Sequence, residues 1–206
     1  VEAERLAVPD GLQRPDGAFA HAPPVPGARP CALWDAGKGA EFGHCQAQGG
    51  GAAFDAECRA RWLDAHFAAA RREFEHWLDT AEGALALLIL LDQIPRNVFR
   101  GSGHAFATDP LALHYAGRAI AAGFDAQVEP ALRMFLYLPF EHAEAIADQD
   151  RAVALFTALG DHDLLGYAHA HRDVILRFGR FPHRNHALGR SDTPEEQAWL
   201  EAGGGF

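Results

Sequence analysis

The chain has 206 residues, 49% of them hydrophobic, which is long and apolar enough for one domain with a full core. Its formal net charge of −10 argues against a protein that binds nucleic acid or an anionic membrane surface. Three cysteines without a Cys-x-x-Cys pair argue against a disulfide framework, and no apolar run resembles a signal peptide or a membrane span. We therefore expect a reduced, cytoplasmic protein.

Residues 1–53 are predicted to form an irregular N-terminal arm. Six prolines lie within residues 1–30, and residues 37–51 are rich in glycine. Both residue types interrupt helices and strands, so this part of the chain is not expected to contain regular elements. The regular fold is expected to start at Phe54 and to form a single helical domain over residues 54–206.

The segments after this arm have the patterns of helices. Phe54, Cys58 and Trp62 recur at helical spacing in a first helix that is predicted to end near Arg72. Thr80 can cap a second helix, which is apolar on all sides and is expected to stop at Pro95. The same patterns predict further helices at 109–123, 129–138, 140–159, 161–178 and from 193 onward.

These segments predict an all-α fold. No stretch alternates between apolar and polar residues as a half-buried strand does. Because short turns join successive helices, we expect stacked antiparallel hairpins.

Two polar motifs point to a site. The first is RFGRFPHRN at 177–185, and the second, LDQIPRN at 91–97, also combines a proline with Arg-Asn. Arginine presents a planar fork of donors that suits carboxylate or phosphate, and asparagine can hold a loop or a ligand. We expect the two motifs to contribute to one shared polar site.

Helical spacing predicts which polar side chains point inward. Asp92 continues an apolar face of its helix, and His142 and His171 lie on the apolar stripes of theirs. A buried carboxylate is costly unless it is paired with a cation. The predicted partners are Arg96, Arg180 and Arg184.

Several kinds of chemistry lack their usual signatures. The histidines show no metal-ligand spacing, so we predict no metal site. No nucleophile motif, phosphate-binding loop or dinucleotide motif occurs, and no cofactor is expected. A pocket with arginines and histidines remains, which suits a small anionic ligand and a histidine acting as general acid or base.

The longer motifs carry a family resemblance. LLDQIPRNVFRG at 90–101, AFATD at 105–109, FLYLPFEHAE at 135–144 and RFGRFPHRN at 177–185 resemble a bacterial family of unknown function, numbered nine hundred and twenty-four. The resemblance extends over residues 54–206. It implies a tetratricopeptide-like fold of helical hairpins and no assigned activity. The chain differs from the family pattern in its long N-terminal arm and in His186.

We predict a small-molecule site with three kinds of role. The proton-moving residues would be His142, His171 and His183, oriented by Asp92 and Glu141. Ligand-binding residues would be Arg96, Asn97, Arg180, Arg184 and Asn185, with Phe178 and Phe181 as an apolar wall. The alternative is a tetratricopeptide-like interaction scaffold that binds a peptide and whose arginine motifs are structural clamps. The sequence does not decide whether the protein is an enzyme, nor its oligomeric state.

Overall fold

The computed structural model describes residues 51–206, and within this part all regular secondary structure is helical. This confirms the all-α prediction. The predicted arm lies almost entirely outside the described residues. The α-helices are α1 (Ala52–Ala70), α2 (Ala81–Leu88), α3 (Ile94–Val98), α4 (Asp109–Ala121), α5 (Met134–Glu141), α6 (Ile146–Leu159), α7 (His162–Phe178) and α8 (Pro194–Glu201). Short 3-10 helices lie at Glu75–Asp79, Gly103–Phe106, Pro130–Leu132 and Pro182–Arg184.

The centre of the core is the apolar segment that begins with α2. Thr80 caps this helix, as predicted, by accepting a hydrogen bond from Gly83 N at 3.1 Å. Residues 84–91 are all buried, and they pack with residues of α1, α4, α5 and α6 in one continuous core. The prediction of a helix buried on all sides is therefore confirmed.

The predicted helix end at Pro95 is wrong. The chain passes from α2 through a π-helical turn, Ile89–Gln93, into α3, where Pro95 occupies the first turn. A widened turn accommodates a residue that has no N–H to donate. Four side chains also donate hydrogen bonds to the backbone carbonyls of residues 90–93 in and beside this turn. The pairs are His66 to Leu90 O, Thr108 to Leu91 O, Arg96 to Asp92 O and Asn97 to Gln93 O.

The single helix predicted over 140–159 is also wrong. Pro139 lies inside α5, which ends at Glu141, and α6 begins only at Ile146. The side chain of Gln149 is buried and donates to Glu141 O at 2.6 Å and to Ala143 O at 2.7 Å. These bonds stabilise the turn between the helices, so Glu141 and His142 lie at a helix end.

The C-terminal helices begin and end at the predicted signals. The Asp161 carboxylate accepts hydrogen bonds from the first turn of α7, and Gly179 ends that helix with a φ of 69°. Thr193 and Glu196 form a capping box at the start of α8. The motif RFGRFPHRN at 177–185 begins in the last turn of α7 and continues into the segment between α7 and α8.

Candidate functional site

Asp92 and His142 form a hydrogen-bonded pair at the centre of the site. Asp92 lies in the π-helical turn and only 1% of its surface is exposed, and His142 caps the C-terminal end of α5. The two Asp92 oxygens lie 2.8 and 3.0 Å from His142 Nδ1. An ionised carboxylate only accepts hydrogen bonds, so Nδ1 carries the proton and the neutral ring keeps a lone pair on Nε2. This is the arrangement in which a carboxylate orients a histidine base.

The arginines of the two motifs meet at Asp109. Arg96 makes two hydrogen bonds to the Asp109 carboxylate, at 2.9 and 3.0 Å, and lies 3.2 Å from Asp92. Arg184 approaches the same Asp109 carboxylate at 3.4 Å and donates to the backbone carbonyl of His142 at 3.0 Å. Two guanidinium groups and two carboxylates thus surround His142.

Arg184 is the less fully paired of these two arginines. It is buried, and its guanidinium lies 4.7 Å from the ring centroid of Phe106 and 4.4 Å from that of Phe181. Its Nε atom has no hydrogen-bond partner among residues 51–206. Burial, with the nearby positive charge of Arg96, lowers the pKa of Arg184 to about 10. The folded protein therefore holds a cation whose charge is incompletely compensated.

Glu141 and His171 form a second buried pair. Oε1 of Glu141 lies 3.2 Å from Nδ1 of His171, and the same nitrogen lies 2.9 Å from the carbonyl oxygen of Tyr167. Burial, and then the negative charge of Asp92, raises the pKa of Glu141 to about 8. Burial lowers the pKa of His171 to about 3. Both groups are uncharged at neutral pH, so their contact is a polar contact between neutral groups.

The environments of Asp92 and Glu141 drive the two carboxyl pKa values in opposite directions. Burial acts to raise the pKa of Asp92, but Arg96 and His142 outweigh it and hold that pKa below its usual range. Burial and the charge of Arg96 lower the pKa of His142. At neutral pH the site therefore combines an ionised carboxylate, neutral imidazoles and a protonated carboxyl group. Carboxyl groups with separated pKa values are typical of acid–base sites.

Phe206 covers this cluster. Its ring stacks on that of His171 at 3.6 Å between centroids and 12° between planes. It meets the rings of His183 and Phe181 edge-on, at 5.8 and 6.2 Å. Burial lowers the pKa of His183 to about 4, and its buried Nδ1 has no hydrogen-bond partner in the described part of the chain. His171 and His142 are neighbours, with ring centroids 6.2 Å apart.

Four predicted site residues make their contacts elsewhere. Arg180 makes two hydrogen bonds to Glu196, at 2.6 and 2.7 Å, and one to Ser191 O. Asn97 Nδ2 bonds the π-helical turn, as described above. Asn185 donates to Asp192 at 2.7 Å, and Phe178 packs on Trp199. These contacts fix loops to helices.

Three important residues were missed from the sequence. Asp109 was expected only at the start of the helix predicted over 109–123, although its carboxylate joins both arginine motifs. Phe106 lies in the quoted AFATD motif, three residues earlier, and packs on Arg96 and Arg184. Phe206 gave no local signal, because nothing in Gly-Gly-Phe shows where the ring will lie. Searching for acidic partners of the two arginines could have found Asp109.

Among the described residues, no group of three or more His, Cys, Asp and Glu side chains is arranged to hold a metal ion. Within the same part of the chain, no helix combines the length and the apolar character needed to cross a membrane.

The fold and the site define an all-helical protein with a buried Asp–His–Arg cluster. The model of the family described as "Bacterial protein of unknown function (DUF924)" matches residues 38–204, and the chain belongs to this family. It is similar to the solved structure of a protein of unknown function, ATU0120, from Agrobacterium tumefaciens. The two share 49% identity and a TM-score of 0.72, over 84% of this chain and 99% of that one. A comparison with curated proteins finds no match.

Proposed function

We propose that the protein binds a small anionic molecule at the cluster around His142 and moves a proton to or from it. The observation that carries this proposal is Arg184, a buried cation with an unpartnered Nε, donating to the backbone of His142. An anion bound beside Arg184 would compensate its charge. The same anion would lie near the Asp92–His142 pair, whose Nε2 lone pair can accept a proton.

Glu141 supplies the complementary acid in this proposal. With a pKa raised to about 8, its carboxyl group retains a proton at neutral pH while His142 does not. At neutral pH one site would thus hold a base, the His142 imidazole, and an acid, the Glu141 carboxyl group. Together they permit proton transfer in both directions. The reaction belongs to the proton-transfer class, and Arg184 would hold the negative charge that develops on the ligand.

The clamp interpretation suits Arg180 better than Arg184. Arg180 is fully engaged with Glu196, and its hydrogen bond lowers the pKa of that carboxyl to about 2. Arg190 likewise makes two hydrogen bonds to Glu144, at 2.7 and 2.9 Å. We therefore assign Arg180 a structural role and retain Arg184 for the ligand.

We also propose the tetratricopeptide-like arrangement of hairpins and a cytoplasmic location. Helices α6 and α7 pack extensively on each other, and Gly160 and Asp161 alone join them, which favours an antiparallel hairpin. Cys58 is a buried free thiol, and burial raises its pKa to about 11. An unreactive, unpaired thiol suits a reducing compartment.

An anion panel tests the proposed function. Phosphate, sulfate and small dicarboxylates are each compared with chloride at equal ionic strength, and the melting temperature is measured. A specific anion at a hundredfold excess over its dissociation constant is expected to stabilise the protein by about 2.7 kcal/mol. Arg184→Gln should abolish this stabilisation, because it removes the unpaired cation.

Arg180→Gln is the matched control. It removes an arginine from the same motif, but one that Glu196 already neutralises, so the stabilisation by anions should persist. Equal loss of the effect in both variants would show a general charge effect. If no anion in the panel stabilises the parent more than chloride does, the proposed function is wrong.

A further inference from the structure

The ring of Phe206 occupies a place in which three side chains form an aromatic recess. His171 provides the face on which the ring stacks, and His183 and Phe181 provide edges at nearly right angles, 83° and 89°. Stacked and edge-to-face contacts are the preferred geometries of aromatic pairs. The recess is therefore shaped for a planar ring, and its base is the imidazole that contacts Glu141.

The segment that carries this ring is held to the end of α8 by two backbone hydrogen bonds, from Gly203 N to Leu200 O at 3.0 Å and from Gly204 N to Trp199 O at 2.9 Å. Phe206 remains 54% exposed although it makes these ring contacts. Three glycines precede it, and a Cβ on Gly204 would lie 2.3 Å from the ring of Trp199. Gly205 has a φ of 136°, which side chains rarely permit. These glycines let the segment cross Trp199 closely, and its phenyl ring contacts the rings of His171, His183 and Phe181.

Polar groups around the recess are suited to a ring that carries an anionic substituent. The buried Nδ1 of His183 lacks a hydrogen-bond partner among the described residues. The guanidinium of Arg184 stacks on Phe181, the same ring that Phe206 contacts edge-on. Phenylalanine has no polar atom on its ring, so the ring provides no partner for His183 Nδ1 or Arg184 Nε.

We infer that Phe206 occupies the place of a planar aromatic anion, such as an aromatic ring carboxylate, which stacks on His171 after displacing the Gly203–Phe206 segment. This inference rests on the proposed function and names the ligand class of that site. The ligand ring would lie where Phe206 lies, and its carboxylate would be held by Arg184 and His183. The segment then acts as a cover that competes with the ligand.

Competition of this kind makes a quantitative prediction. The apparent dissociation constant equals the intrinsic constant divided by the fraction of molecules whose recess is open. Phe206→Ala removes the competing ring, and we expect benzoate to bind about fivefold more tightly to this variant than to the parent in calorimetric titration. Cyclohexanecarboxylate has the same charge and a similar size without a planar ring. It should therefore bind more weakly than benzoate, and its affinity should increase less in Phe206→Ala.

Phe67→Ala is the matched control. Phe67 is another partly exposed phenylalanine, with its ring 5.5 Å from that of His66, and it belongs to a different aromatic cluster. This variant should bind benzoate as the parent does. In addition, the ring protons of His171 should lose the ring-current shift of the stacked phenyl group in Phe206→Ala and regain such a shift when benzoate stacks there. In the parent, added benzoate should instead move the ring resonances of Phe206.

The outcomes separate this inference from the proposed function. Inorganic anions could stabilise the protein through Arg184 while benzoate binds Phe206→Ala no more tightly than the parent. In that case the ligand class is wrong and the anion site stands. If the affinity of cyclohexanecarboxylate increases as much as that of benzoate in Phe206→Ala, the recess does not select a planar ring and the inference is overturned. If benzoate binds without moving the Phe206 resonances, the segment is not its competitor and the inference is equally wrong.

Discussion

Asp92→Ala is expected to lower the free energy of unfolding by about 3–5 kcal/mol. Asp92 is almost fully buried and its carboxylate bonds His142, Arg96 and Gln93 at once. Removing it leaves a buried arginine with one carboxylate partner fewer and a histidine without its orienting acceptor. Denaturant unfolding of the two proteins measures the difference.

Asp150→Ala is the appropriate comparison. Asp150 also pairs with an arginine, Arg172 at 2.6 Å, but its side chain is 54% exposed. Exposed ion pairs contribute roughly 0–1 kcal/mol, so this variant should melt nearly as the parent does. If Asp92→Ala lowers the free energy of unfolding no more than Asp150→Ala does, the buried cluster on which the site depends is contradicted.

Glu141→Gln is expected to change how stability depends on pH. The pKa of Glu141 is raised to about 8 in the folded protein, whereas the unfolded chain loses this proton near the ordinary value of 4.5. The folded state thus keeps a proton that the unfolded state has lost, and stability falls as pH rises between these values. Glutamine cannot ionise, so the variant should gain about 4 kcal/mol relative to the parent between pH 5 and pH 8.5.

The comparison at each pH isolates Glu141 from its titrating neighbours. The pKa values of His142, His171 and His183 are lowered on folding, so they make both proteins lose stability as pH falls through 6.5. That contribution largely cancels between parent and variant. Glu195→Gln, at an exposed carboxylate on α8, should leave the pH profile almost unchanged. A difference between Glu141→Gln and the parent that stays constant with pH would mean that the carboxyl is not strongly perturbed.

Helical periodicity placed some inward side chains correctly, but His142 was placed on the stripe of a helix, 140–159, that does not form. Asp92 and His171 were expected inside because they continue apolar faces, and both are buried. The convergence of the two arginine motifs was also predictable. A buried carboxylate needs a cation beside it, and the two motifs supply the candidate arginines. The pattern predicted which types of residue meet in the cluster, but not which side chains pair with each other.

The errors have local physical causes. Periodicity assumes uninterrupted α-helix, so it could not show the π-helical turn before Pro95 or the turn that Gln149 stabilises after Glu141. The partner of Arg180 was missed because Glu196 forms its own capping box on a later helix and still accepts two bonds from that arginine. The position of Phe206 depends on a glycine segment whose path only tertiary packing determines.

The two similar motifs have different roles in the fold. In LDQIPRN at 91–97, Asn97 bonds a carbonyl of the π-helical turn while Arg96 joins Asp92 to Asp109. In RFGRFPHRN at 177–185, Asn185 bonds Asp192 in its own loop while Arg184 reaches the site. In each motif the asparagine holds the backbone and the arginine contributes to the cluster. This division explains why a structural and a functional interpretation were both compatible with the same residues.

The most direct test of the central claim is the nitrogen NMR spectrum of the histidine rings during a titration with phosphate and with benzoate. Without ligand, His142 and His171 should be neutral at pH 7, with the proton on Nδ1 and a free Nε2, as their hydrogen bonds require. Ligand should shift the Nε2 signals of both residues, and His162, on the first turn of α7, should not respond. Protonated rings before titration, or signals of His142 and His171 that stay fixed with every anion, would contradict a small-molecule site at this cluster.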